Sequence, residues 1–213
     1  MLKLLLTLVL VGSLGVPDQA VIADKLYDDL LAYHAWRVDS AHRHETEEAR
    51  QERIRWVSDG IPRACADNAD LFDTKLGWTF TQCVAFGATM AKWESGLVRE
   101  VQEGTKRGPA GELCLFQLHR LVSAVPDPKY RVTPEELAAT VGLDAEAAYR
   151  CAYAGVKTIA WQIHRCRLRA DDFTAPAAAF SLYHHPDQHC EFVLSGMPAE
   201  RARGYRALLT KLR

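Results

Sequence analysis

The sequence predicts a mainly α, lysozyme-like helical domain with an N-terminal helical extension. Apolar residues recur at steps of three and four through several long stretches, and capping residues or prolines stand at their starts. No convincing alternating strand pattern appears, so at most a small hairpin is expected beside a cleft. At 213 residues the chain can bury one good core. With 26 basic and 27 acidic side chains, no broad field favours nucleic acid or anionic lipid. A polymer held through shape and hydrogen bonds stays open.

In chain order, residues 1–23 read as a secretory signal. Lys3 precedes an apolar run from Leu4 to Val11 that is too short to span comfortably as a mature membrane helix. A cut after Ala23 puts Val21 and Ala23 at the small-residue positions, a cut near Gly15 or Ala20 is also tolerable, and an uncleaved N-terminal anchor is the alternative. The expected location is outside the cytoplasm, periplasmic or extracellular. Six cysteines follow the leader, Cys65, Cys83, Cys114, Cys151, Cys166 and Cys190, and an even number in an exported chain suggests disulfides. Every full pairing remains open at this stage, and Cys83, on an apolar stripe, can also be read as a buried free thiol.

Residues 24–63 form the N-terminal helical segment. Asp24 is placed to cap a helix whose Leu26, Tyr27, Leu30, Leu31 and His34 share a face. Residues 41–53 are dense in charge of both signs, which usually marks a solvated face, and they lead into Ile54, Trp56 and Val57. Asp59-Gly60-Ile61-Pro62 then breaks the helical pattern. No site is read here: His42 and His44 cannot share a helix face, so a metal centre with His34 is disfavoured.

Residues 64–213 form the main domain. Its first long helix carries Phe80, Val84, Gly87, Ala91, Glu94 and Val98 on one stripe and ends near Arg99. Glu94 therefore falls on a core-facing position. A sheltered carboxylic acid is costly unless paired, protonated or open to a cleft, and desolvation raises its pKa, as a general acid at neutral pH requires. The ordinary alternative is a helix-end carboxylate meeting Lys92, Arg99 or water. Residues 103–109 form a loop by composition. Thr133-Pro134-Glu135-Glu136 is a capping box for a helix ended by Gly142. Asp144 caps a longer helix bearing Tyr149, Ala152, Tyr153, Val156, Ile159, Ala160 and Ile163, with Gly155 allowing close packing. Pro176 and Pro198 start two more, the first carrying Phe180, Leu182 and Tyr183, the second Ala202, Tyr205, Leu208 and Leu212.

Trp93-Glu94-Ser95-Gly96, the loop, and Gly111-Glu112-Leu113-Cys114-Leu115-Phe116-Gln117 together resemble the lytic transglycosylase and goose-type lysozyme group. Tyr153-Ala154-Gly155 and Ala179-Phe180-Ser181-Leu182-Tyr183 are similar to later segments of that group, in the same order, and the resemblance covers about Asp73 to Cys190. It implies cleavage of peptidoglycan glycan strands between N-acetylmuramic acid and N-acetylglucosamine by a single acid, Glu94, without a cofactor. In that group the Glu protonates the glycosidic oxygen, the sugar's acetamido group supports the positive carbon, and the Glu then takes the 6-hydroxyl proton as an anhydro ring closes. The resemblance also implies substrate contacts from Ser95, Gln117 and Tyr183. Cys114 departs from it, standing where a second glycine is usual, and so does His184, which replaces an asparagine.

Glu112 is a candidate second acid, where the group commonly has a small residue; facing Glu94, it would favour hydrolysis over anhydro-ring formation. Its alternative is a structural loop acid. Trp93 and Phe116 are candidate sugar platforms, although such residues are more often core than platform. Two rival readings remain: a protein of the same fold that binds glycan without cleaving it, and an exported helical metal binder using His184, His185 and His189. Pro186 disrupts the spacing that the metal reading needs, and Cys190 suits a disulfide better, so no metal site is assigned. Sequence points to no protein partner.

Overall fold

The computed structural model of the chain describes residues 18–37, 45–72, 76–171, 174–184, 190 and 194–213. These form α1 (Gln19–Arg37), α2 (Glu47–Asp67), α3 (Phe80–Ser95), α4 (Arg99–Glu103), α5 (Pro134–Ala138), α6 (Ala145–Cys166), α7 (Thr174–His184) and α8 (Met197–Leu212). The fold is mainly α. Among the described residues the expected hairpin is reduced to one bridge, in which Leu113 and Leu118 exchange N–H···O bonds of 3.0 and 2.8 Å. Among the described residues no helix is long and apolar enough to cross a membrane.

α3 is the axis of the core. Thr79 and Gln82 start it with a reciprocal capping box, and the whole run from Gln82 to Ala91 is buried. Such a helix is enclosed on all sides, not on one stripe. It is touched by α1, α2, α6 and α8. Phe86 anchors the packing, stacked on Phe180 of α7 at 4.3 Å between centroids and edge-on to Trp78 and to Tyr205 of α8. Gly96 and Leu97 both turn left-handed (φ 61° and 58°), which stops α3 at Ser95. Val98 consequently leaves the stripe on which the sequence put it and stands at the start of α4.

Two sequence expectations fail on α1 and α2 for identifiable reasons. α1 begins at Gln19, so Asp24 lies inside the helix, where it accepts from Arg55 at 2.6 Å instead of capping. Ile22 and Ala23 of that first turn are buried in the core. α2 runs unbroken through Asp59-Gly60-Ile61-Pro62. A Cβ on Gly60 would lie 3.2 Å from the Tyr149 backbone, so this glycine lets α6 approach α2 closely and does not break the helix. Pro62 removes one helix hydrogen bond, but burial of Ile61, Pro62, Ala64 and Cys65 on the same turn keeps the helix in place.

The charged segment is a solvated face over most of its described residues, with Glu47, Glu48, Gln51 and Glu52 exposed, but one member departs from it. Residues 41–44 lie outside the described set, but Arg53 is fully buried. Its guanidinium donates to both carboxylate oxygens of Glu45 (2.8 and 3.0 Å), to the Leu97 carbonyl (2.9 Å) and to Gln102 (3.4 Å), and it lies 3.3 Å from His34. One buried cation thereby joins α1, α2 and the turn that follows Glu94. Such a group is tolerated only with its partners in place.

All six cysteines are paired, as Cys65–Cys83, Cys114–Cys151 and Cys166–Cys190. The free-thiol alternative for Cys83 is thus corrected: α2 brings Cys65 to a Cα separation of 5.9 Å from it.

Candidate functional site

Glu94 occupies the last turn of α3, one residue before its end. A carboxylate there faces the negative end of the helix dipole and needs a cation. Arg201 of α8 supplies it, its Nη1 donating to Glu94 Oε1. The Glu94 side chain is 7% exposed and that of Arg201 4%, so this is a buried ion pair. Neither Lys92 nor Arg99 is that partner: Lys92 instead pairs with Asp29 of α1.

Ser95, next in sequence, serves the helix end. Its Oγ donates to the Ala91 carbonyl (2.7 Å) and accepts from the Leu97 N–H (3.0 Å). That leaves the hydroxyl engaged with backbone, so its role is to shape the stop behind Glu94.

The segment Gly111–Gln117 folds as a tight turn with Cys114 and Gln117 both left-handed (φ 55° and 49°). That conformation favours glycine, which gives a physical meaning to the cysteine at this position: the Cys114–Cys151 bond ties a strained residue to α6. The turn drives Phe116 inward. Its ring lies against Gly87 of α3 and so tightly on Gly155 of α6 that a Cβ there would overlap it. Phe116 is therefore core and not a sugar platform.

Its backbone does reach the site. The Phe116 carbonyl accepts from the Tyr183 phenol at 2.6 Å. Burial, and then the Glu94 charge, push that phenol well above its ordinary pKa, while Arg201 opposes them. Tyr183 is thus within electrostatic reach of both members of the ion pair. Of the residues singled out in the sequence, Glu94 and Tyr183 come together in this way.

Gln117 and Glu112 form a second group. Gln117 Nε2 donates to the Cys114 carbonyl (3.1 Å), and the Glu112 carboxylate accepts from the Ala110 N–H (2.9 Å). A Cβ on Gly108 would press on both side chains at once, so they share the space beside that glycine. Glu112 here acts as a loop acid, holding its own turn.

Beyond Gln117 and Tyr183 opens a cleft of about 350 Å³, bordered by Leu121, Val125, Trp161 and Gln162 as well. Glu94 is not among its lining residues; Tyr183 is, and its phenol lies within reach of the Glu94 charge. Trp93 lies below Arg201, whose guanidinium is 6.0 Å from the ring centroid. The His184 side chain and residues 185–189, on which the metal reading rested, are outside the described set.

Arg201 is the residue that sequence reasoning missed. It stands at a four-residue step from Tyr205 and seven from Leu208, on the apolar face of α8. Two opposite charges on the buried faces of different helices were the available signal. Comparison with protein families, with curated proteins and with solved structures finds no match.

Proposed function

We propose that this protein cleaves the glycan strands of peptidoglycan between N-acetylmuramic acid and N-acetylglucosamine, with Glu94 as the single acid and an anhydro-muramic product. The carrying observation is the sheltered Glu94 carboxylate at the end of α3, within whose electrostatic reach the Phe116 carbonyl fixes the Tyr183 phenol. Glu112 has a structural hydrogen bond of its own, which favours the one-acid route over a two-carboxylate hydrolase. The exported, lysozyme-like identity belongs to the same proposal; three disulfides suit an oxidising compartment.

On this reading the Glu94–Arg201 pair is a resting arrangement. A carboxylate accepting from a guanidinium holds no proton to transfer, so the pair must part for Glu94 to protonate a glycosidic oxygen. The same pair favours a second reading, in which the acid is permanently neutralised and the fold binds glycan without cleaving it. Digestion of purified sacculi followed by mass analysis separates them: anhydro ends mark the lyase, reducing ends a hydrolase, and intact sacculi the binder.

A further inference from the structure

One face of α6 presents Thr158, Trp161, Gln162 and Arg165 to the cleft, at helical steps of three, four and seven. Opposite them, Leu121, Val125 and Pro126 give an apolar wall. Within this cleft Gln162 is anomalous. It is 2% exposed, and its Oε1 has no hydrogen-bond partner among the described residues. A buried amide oxygen left without a donor is costly, so Gln162 is set to accept a hydrogen bond from a ligand. The terminal torsion of glutamine is soft, and a small rotation turns that oxygen toward a ligand.

We propose that the cleft binds a secondary amide carrying a short alkyl group, with Gln162 Oε1 accepting the ligand's N–H, the alkyl group lying on Leu121 and Val125, and Trp161 packing on the flank. The cleft is mostly apolar apart from a few polar groups, as suits such a group better than a bare polyol. Its natural occupant rests on the reading given under Proposed function, because Tyr183 lines this cleft and also lies within electrostatic reach of Glu94. In peptidoglycan this chemistry comes from two sources, the acetamido group of the sugars and the alanyl amide of the stem peptide.

The test is an NMR titration of the full chain with three probes, following the Trp161 indole and Gln162 amide signals. The probes are the β-1,4 tetramer of N-acetylglucosamine, the corresponding glucose tetramer, and N-acetyl-alanine N-methylamide. At least one amide probe should bind about tenfold more tightly than the glucose tetramer, and Gln162→Leu should erase that preference. Binding of the acetylated tetramer assigns the sugar as source; binding of the alanyl amide alone assigns the peptide. Neither amide probe binding more tightly than the glucose tetramer, or no shift at Trp161 and Gln162 with either amide, overturns the proposal. The titration of the unmutated chain decides even if Gln162→Leu does not fold. Sacculus digestion is read separately: amide binding without digestion removes the enzyme reading and leaves this site, and digestion without amide preference does the reverse.

Discussion

Arg201 on α8 and Glu94 at the end of α3 form a buried ion pair, although 107 residues separate them in sequence. Each charge offsets part of the cost of burying the other. Removing one partner takes that compensation from a buried charge, whereas removing both takes the two charges out of the core together.

Arg201→Met is therefore expected to lower unfolding stability by about 3–5 kcal/mol, and Arg201→Met with Glu94→Met to recover most of that loss. Urea denaturation of the two single variants and the double variant gives the coupling. Additive losses would show that the pair is not a unit.

The Arg53 knot predicts a pH dependence. Burial alone would raise the Glu45 carboxyl, but hydrogen bonds and charge from Arg53 outweigh it and hold the group below the ordinary glutamate range. A carboxyl lowered in the folded state contributes stability above its unfolded pKa, about 4.3, and loses it as pH falls through the lower folded value. Stability should be flat near neutrality and fall on acidification below that point. Glu45→Gln should reduce neutral stability and flatten this acid limb, as followed by urea midpoints across the range.

Gly155→Ala places a methyl group where the Phe116 ring lies. Overpacking of this kind costs about 1–3 kcal/mol. Because the Phe116 carbonyl holds the Tyr183 phenol, the substitution should also lower activity on sacculi more than the stability loss explains. Thermal melts and digestion at a temperature where the variant remains folded test both parts.

Cys114 pays for its left-handed backbone in a way that a glycine would not. With the bond to Cys151 removed, the Cys114→Gly, Cys151→Ala chain should exceed the Cys114→Ala, Cys151→Ala chain in stability by about 1–2 kcal/mol. Both should fall below the disulfide-bonded chain by roughly 4 kcal/mol, before that difference, for a loop of this length. Equal stability of the two variants would argue against the backbone assignment.

Much of the fold was legible because it is written in local signals. Asp144 caps α6, the Thr133 capping box starts α5, and Pro198 stands in the first turn of α8, as their sequence patterns predict. Misread elements depended on distant partners. Gly60 looks like a breaker until α6 lies against it, and Arg53 looks solvated until the turn at Leu97 folds back onto it. At the site, the apolar stripe placed Glu94 inward, but periodicity carries no information on which helix will meet it. That α7 brings Tyr183 and α8 brings Arg201 is set by tertiary packing.

The most direct measurement compares the wild-type chain with Glu94→Gln on purified sacculi, following soluble fragments by mass spectrometry. Glu94→Gln keeps the side chain's shape and removes its transferable proton. Release of anhydro-ended fragments by the wild type, with release abolished in the folded variant, is the predicted result; equal release by both, or intact sacculi with both, would contradict Glu94 as the catalytic acid.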